Sequence, residues 1–374
     1  MTTDALPEPD RIEGAPHPRE TARLFGQRSA EEAFLDAHHS GRLHHAWLLT
    51  GPRGIGKATL AWRIARFLLA NGSPSDPGLF AEVAAAGSLD VAPDNPVARR
   101  ILAGAEPRLF PMRRAWDPDR KRLKSAITVD EVRKLGAFLH LSAADGGRRV
   151  AIVDAADEMN NAAANALLKM LEEPPPDVTF LLVSHQPSRL LPTIRSRCRE
   201  LRLSPLSATD LAAAMEQAGI APQGEGALAE LAAGSVGEAI RLVNLEGLTL
   251  YSAIVSLFST LPQLDRGAAL KFADIAAQRG DEARIDLVFD LLTLFLARMA
   301  RAGTGRPCAE AAPGEAALAA RLVPDVAAAR RWAELQAELG ARIAHGRAVN
   351  LDPGALMLDA VLRIEQVARD RNAA

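Results

Sequence analysis

Cysteine is almost missing from this chain. Cys198 and Cys308 are the two in 374 residues. Two thiols that far apart build neither a zinc site nor a disulfide framework, and they suit a reducing compartment. Aromatic residues make up only 4%, with a single tyrosine, so platforms for stacking single-stranded bases are few. Neither sign of charge dominates. The net charge is −2, and any contact with nucleic acid must therefore come from local patches. A long uninterrupted apolar run is lacking as well. The most apolar stretch, Ile285 to Met299, contains Asp286 and Asp290 and predicts a buried helix, not a membrane span. The first residues are acidic and Pro-rich, without the basic and apolar regions of a signal peptide. Residues 1–18 are expected to be disordered, and the protein to be cytoplasmic with no membrane partner.

What is present is an ordinary globular composition, 48% hydrophobic and 24% charged, long enough for two or three domains. The chain is organised around Gly51-Pro52-Arg53-Gly54-Ile55-Gly56-Lys57-Ala58-Thr59. An apolar run, Ala46 to Thr50, precedes it as a buried strand. Leu60, Ile64, Phe67 and Leu68 follow at helical spacing. Strand, Gly-rich loop and helix are the context a phosphate-binding loop requires. Gly51, Gly54 and Gly56 let backbone amides curl around an anion, the helix points its positive end there, and Lys57 reaches the outer phosphates. The hydroxyl that should hold Mg²⁺ is missing, because Ala58 follows Lys57. Thr59 comes one residue late, about 100° round the helix. A Gly-rich turn without a ligand is the alternative reading.

Val150 to Asp154 is a second buried strand, and its final Asp occupies the Walker B position, which holds Mg²⁺ through water in active ATPases. The next residue is Ala155, which cannot polarise the attacking water; Asp157 and Glu158 lie on the turn beyond. A helix over about 161–173 stops at three prolines. Strands over Thr179–Ser184 and Glu200–Leu203 complete an alternating pattern, which predicts a doubly wound parallel sheet. Between the loop helix and about residue 126 lies an apparent insertion, from about 71. Its end, Arg108 to Lys124, holds seven basic residues (Arg108, Arg113, Arg114, Arg120, Lys121, Arg122, Lys124) against Asp117 and Asp119. It reads as a solvated loop or as a patch facing DNA or a partner. His38, His39, His44 and His45 flank the first strand without a carboxylate or cysteine at ligand spacing, so no metal site is expected. After Ser204-Pro205 strand signals end. Short helices over 207–245 and about five longer ones over 248–374 predict a small lid and a helical bundle.

Three segments carry a family resemblance: His45 to Pro52, Asn165 to Pro175, and Leu191-Pro192-Thr193-Ile194-Arg195-Ser196-Arg197-Cys198. They resemble the clamp-loader branch of the AAA+ proteins, the last segment most specifically. The resemblance implies an α/β AAA+ P-loop domain over 19–204, a helical lid over 205–247, and an all-α collar over 248–374 that drives oligomerisation. It implies a hetero-oligomeric ring with motor subunits of the gamma/tau type and a delta subunit, acting on primer–template DNA and, indirectly, the sliding clamp of DNA polymerase III. Arg197 is implied as an arginine finger that enters a neighbour's nucleotide site; a surface arginine paired with Glu172 or Glu173 is the alternative.

Departures from the motor pattern narrow the expectation. Motor subunits carry Arg in a Gly-Ser-x-Arg lid motif. Here it reads Gly234-Ser235-Val236-Gly237, and Arg241 stands a turn later. The first sensor is represented by Ser184-His185, and the zinc-binding cysteines of many relatives are absent. The expected function is a non-motor stator in clamp loading, with no polymerase or ATPase activity of its own. Gly51, Gly54, Gly56, Lys57 and Asp154 would form a degenerate nucleotide site, with no cofactor required, at most weak ATP or ADP binding, and no zinc. An ATP-hydrolysing motor and an unrelated P-loop enzyme are the alternatives.

Overall fold

The computed structural model describes residues 7–41, 43–71, 87–140, 147–221, 224–276, 282–306 and 308–370. These divide into two compact units, one formed by the chain to residue 220 with 234–237, the other by 221–233 with 238 onward. The expected lid, 205–247, is therefore shared: 205–220 and 234–237 group with the first unit and the remainder with the second.

The first unit runs α1 (Arg28–His39), β1 (Ala46–Thr50), α2 (Lys57–Ala70), α3 (Pro96–Leu102), β2 (Leu109–Arg113), β3 (Trp116–Asp117), β4 (Arg122–Leu123), α4 (Val129–His140), β5 (Arg149–Asp154), α5 (Asn161–Glu172), β6 (Val178–Ser184), α6 (Pro192–Arg195), β7 (Arg199–Arg202) and α7 (Ala208–Gln217). Five strands form a parallel sheet in the order β2-β5-β6-β1-β7. β1 is interior and buried along its whole length, which is why its sequence is an unbroken apolar run. Successive side chains alternate sides of the sheet. Ala46 and Leu48 join the core built by α4, α5 and α6, where Leu135, Leu167 and Leu171 meet Ala151, Val153, Phe180 and Leu182. Trp47 points to the other side and meets Phe34 of α1 at 5.0 Å between ring centres. α2 packs against β1, β5 and β6 through the stripe read from the sequence, with Leu60, Ile64, Phe67 and Leu68 all buried.

The apparent insertion over 71–126 needs correcting. Residues 72–86 lie outside the described residues, but Leu109–Arg113 is the fifth strand of the sheet, paired with β5 in register Arg113 to Asp154. Its sequence hides it. β2 is an edge strand, and only Met112 is buried. An edge also tolerates Pro111, which has no N–H to give to a ladder. β3 and β4 then form a small antiparallel hairpin.

The lead-in also differs from expectation. Residues 1–6 lie outside the described residues, but from residue 7 the segment is held in turns by ion pairs and a buried histidine. Arg113 binds Asp10 at 2.6 Å and Glu8 at 2.9 Å. Arg19 binds Glu8 at 3.0 Å. His17 is fully buried, with Nε2 3.1 Å from Asp10 and its ring edge-on to Trp62 at 5.6 Å. Charged residues at low apolar content usually signal disorder; here Glu8, Asp10 and His17 meet partners supplied by β2 and α2.

The second unit is helical throughout: α8 (Glu225–Ala232), α9 (Val236–Asn244, its first two residues grouping with the first unit), α10 (Gly247–Phe258), α11 (Arg266–Ala276), α12 (Glu282–Ala302), α13 (Glu315–Leu322), α14 (Val326–Ala348) and α15 (Pro353–Asp370). α12 packs along α14, and α11 along α15. Asp286 and Asp290 face outward on α12, where Asp286 binds Arg347 at 2.8 Å and Asp290 binds Arg241 at 2.8 Å. No described helix is by itself long and apolar enough to cross a membrane. A buried polar cluster ties the 303–314 stretch to α12. Glu315 accepts from Tyr251 at 2.6 Å, from Arg298 at 2.7 Å and from the Ala311 amide at 2.8 Å. These bonds hold its carboxyl below the usual carboxylate range against the opposing cost of burial.

Candidate functional site

The Gly-rich loop closes β1 and opens α2. Gly51, Gly54 and Gly56 have φ of 137°, 76° and 99°, conformations closed to most side chains. Close approach reinforces the choice: a Cβ on Gly51 would lie 2.6 Å from the Leu203 carbonyl oxygen. Gly56 caps α2 without any side-chain hydrogen bond, so the first turn keeps the anion-seeking character of an uncapped helix N-terminus. Gln27 secures the loop from outside. It is buried, its amide nitrogen donates to the carbonyls of Ile55 (3.2 Å) and Ser204 (2.7 Å), and its carbonyl accepts from the Ser204 amide (3.1 Å). Sequence reasoning missed this role, since a lone Gln before a helix carries no signal beyond turn chemistry.

Lys57 does not extend toward an open pocket. It is 3% exposed, and Nζ donates to the Gly51 carbonyl at 2.7 Å and to that of Pro52. Burial lowers its pKa to about 8, opposed by the charges of Asp154 and Asp157. Asp154 moves the other way. Burial, with Asp10 and Glu158 adding to it, raises its pKa to about 7, while Lys57 opposes the rise. Near neutrality a dication there would have to compete with a proton for Asp154.

The other parts of a hydrolytic site are missing or occupied. Ala58 offers no hydroxyl, and Ala155 is buried and apolar. Asp157 accepts the amides of His185 (3.0 Å) and Gln186 (3.1 Å), which spends its carboxylate on shaping the turn after β6. Glu158 binds Arg114 at 2.7 Å. Ser184 Oγ and His185 Nδ1, at the sensor position, are buried without a hydrogen-bond partner among the described residues. Burial and the nearby Lys57 push the His185 imidazole down to about 4, so it is neutral. The residues present do not fit a Mg²⁺–nucleotide complex poised for hydrolysis.

The lid motif donates to the backbone carbonyls of this loop. Ser235 Oγ donates to the Arg53 carbonyl at 2.9 Å, and the Gly237 amide donates to the Gly54 carbonyl at 3.0 Å. A Cβ on Gly54 would fall 2.3 Å from Ser235 Oγ, and one on Gly237 3.0 Å from Gly54 Cα. Gly237 therefore does more than omit an arginine: its lack of a side chain permits the contact. Arg241 is committed to Asp290 and Glu238.

Arg197 stands apart from this loop, on the turn between α6 and β7. Its guanidinium donates to the Thr193 carbonyl at 3.0 Å and binds Glu172 of α5 at 2.7 Å. The side chain is 35% exposed. Neighbouring Cys198 is half-buried, and burial pushes its thiol up to about 12, so it is inert. The histidines flanking β1 are absorbed locally. His44 and His45 stack at 4.4 Å, and His45 meets the Leu171 carbonyl at 3.1 Å. The basic strip separates into two parts. Arg108, Arg113 and Arg114 pair with Glu106, with Glu8 and Asp10, and with Glu158. Arg120, Lys121 and Arg122 are exposed on the β3–β4 hairpin, with Lys124 just after it.

Residues 26–207, which hold the loop, Asp154 and Arg197, match the family described as "DNA polymerase III, delta subunit". That stretch is just under half of the chain, and over it the chain is similar to this family. Among curated relatives, DNA polymerase III subunit delta' of Pseudomonas aeruginosa is 44% identical over 154 residues, 41% of each chain. DNA polymerase III subunit tau of Escherichia coli K12 is 29% identical over 282 residues, 72% of this chain and 40% of that one. These matches take in less than half the length of the relatives. Among solved structures, a DNA polymerase III gamma subunit-related protein of Thermotoga maritima aligns over 73% of this chain and 89% of its own, at 18% identity and a TM-score of 0.33. The likeness to delta' agrees with the AAA+ clamp-loader resemblance carried by the Ser196-Arg197-Cys198 segment.

Proposed function

We propose that this chain is a non-motor, stator subunit of the DNA polymerase III clamp loader, a cytoplasmic assembly, and that it supplies Arg197 in trans. The observation that carries the reading is a contrast within one domain. The chain's own nucleotide site lacks its Mg²⁺ hydroxyl, its water-orienting carboxylate and its lid arginine, while Arg197 stays at the surface on the turn after α6. An arginine finger needs no intact site in its own chain. Its pair with Glu172 is half-exposed, and such pairs are worth about 0–1 kcal/mol. A partner's γ-phosphate, which a planar guanidinium can grip with two bonds, would outcompete it. The partners would be gamma/tau-type motors and a delta subunit, with primer–template DNA held by the ring and the sliding clamp contacted indirectly. No cofactor and no zinc would be required.

The test is a reconstituted loader carrying Arg197→Ala. Ring assembly should be intact, DNA-stimulated ATP hydrolysis should fall, with one motor site losing about 10³-fold or more, and clamp loading should slow. Wild-type hydrolysis and loading would remove the arginine from the mechanism.

A further inference from the structure

The segment before α1 has a position that its sequence gives no reason to expect. It crosses the carboxyl end of the parallel sheet, the edge where α/β domains take their ligands. Arg113 and Asp154 are the last residues of β2 and β5 and stand opposite each other. Arg113 holds the carboxylates of Asp10 and Glu8 there, at 2.6 and 2.9 Å. The Asp10 side chain is 3% exposed. Two residues on, the Ile12 side chain reaches the lid motif: a Cβ on Gly237 would lie 2.9 Å from Ile12 Cδ1. Gly237 is itself bonded to Gly54 of the loop. Ile12 thus stands where a side chain at position 237 would emerge. At the far end His17 and Arg19 fasten the strap to α2, through the ring contact with Trp62 and a bond of 2.6 Å from Arg66 to the Arg19 carbonyl.

We propose that residues 8–17 are an intramolecular occupant of the degenerate nucleotide site, and that the site takes a nucleoside di- or triphosphate, without metal, only when this strap is displaced. Beneath the strap the loop keeps the features of an anion site. The N-terminus of α2 has no side-chain cap, and Ser184 Oγ and His185 Nδ1 are buried without partners among the described residues. Asp10 is the foremost charge opposing the ionisation of Asp154, which places its carboxylate at the same end of the sheet. An acidic strap and an anionic nucleotide that seek one site exclude each other by charge as well as by volume. The inference rests on descent from a P-loop protein but not on any role in a ring, so the isolated chain tests it.

Full-length protein carrying Glu8→Gln, Asp10→Asn and Ile12→Ser is compared with wild type for ADP and ATP binding by calorimetry, in EDTA and again in Mg²⁺. The strap variant should bind at least ten-fold more tightly than wild type, equally with and without Mg²⁺, and adding Lys57→Ala should cancel the gain. Bound nucleotide should raise the variant's melting temperature more than that of wild type. Ile12→Ser alone, which leaves the ion pairs in place, is a second variant with a smaller expected gain and serves if the triple variant melts without cooperativity. Dissociation constants equal to wild type in whichever variant melts cooperatively overturn the proposal. A gain that survives Lys57→Ala also overturns it, because the nucleotide would then be bound elsewhere.

Discussion

At Arg197 a single side chain has two partners to choose between. Within its own chain it binds Glu172, a weak surface pair that screening by salt weakens further. Removing the competitor should therefore leave the fold unharmed: Glu172→Gln is expected to change the melting temperature by no more than a degree or two, and to leave loader ATPase at or above wild type. Arg197→Lys should behave like Arg197→Ala in the reconstituted loader, because an ammonium lacks the fork that matches a phosphate; rescue by Lys would assign the residue a bulk electrostatic role. Asp154 offers a pH test in the isolated chain. Its folded pKa, about 7, is raised above its unfolded value, so folding binds its proton more tightly. Its contribution is then most favourable below about pH 4 and is lost as pH rises through about 7. Asp154→Asn should accordingly raise the melting temperature clearly more at pH 8 than at pH 5. An equal gain at both values would mean that the carboxylate is not strained by burial.

Among the elements, the β3–β4 hairpin and the lid-to-loop contact make separate predictions. The hairpin carries Arg120, Lys121 and Arg122 exposed, whereas Arg113 and Arg114 are engaged in ion pairs. Reversing only the three hairpin charges to Glu should weaken loader–DNA binding and reduce the salt slope by about 0.9 for each phosphate that is no longer neutralised. An unchanged slope would make the hairpin a solvated ornament of the sheet edge. Arg113→Glu belongs to a different class, since it leaves Asp10 buried without its cation, and should lower stability whatever the DNA does. Gly54→Ala probes the contact with Ser235 and Gly237. It adds a Cβ at φ +76°, into a space already occupied at 2.3 Å, and should cost about 2 kcal/mol or more in denaturant unfolding.

For the whole molecule, the helical unit beyond residue 238 has a core of its own, seen in the 5.2 Å contact of Phe258 with Phe295 and in the buried Tyr251–Glu315–Arg298 cluster. It contains none of the residues of the nucleotide loop. Its proposed part is assembly, as one segment of a collar. A chain ended at Glu246 should keep a folded P-loop domain and fail to enter the loader. Entry as efficient as that of the full chain would move the assembly contacts to the AAA+ domain. Intact isolated protein should show no ATP turnover above a Lys57→Ala control.

The sequence by itself determined the parallel sheet, the Gly-rich loop, the Walker B aspartate and the family segment ending at Cys198. Each of these is written locally, as an unbroken apolar run, a glycine spacing or a contiguous motif. It also determined the losses at Ala58, Ala155 and Gly237, because an absent functional group can be read directly. Tertiary structure decided the rest, through contacts between residues far apart in the chain. β2 was hidden because an edge strand is half-exposed and can carry Pro111 and Arg113 without penalty. The strap was hidden because its order comes from Arg113, far along the chain, and from Trp62. Gly237 reads as a missing arginine in the sequence, and only the fold makes it a close backbone contact with Gly54. The pairing of Arg197 with a glutamate of 172–173 was an open reading of the sequence, and packing decided for Glu172, because α5 passes beside the turn after α6.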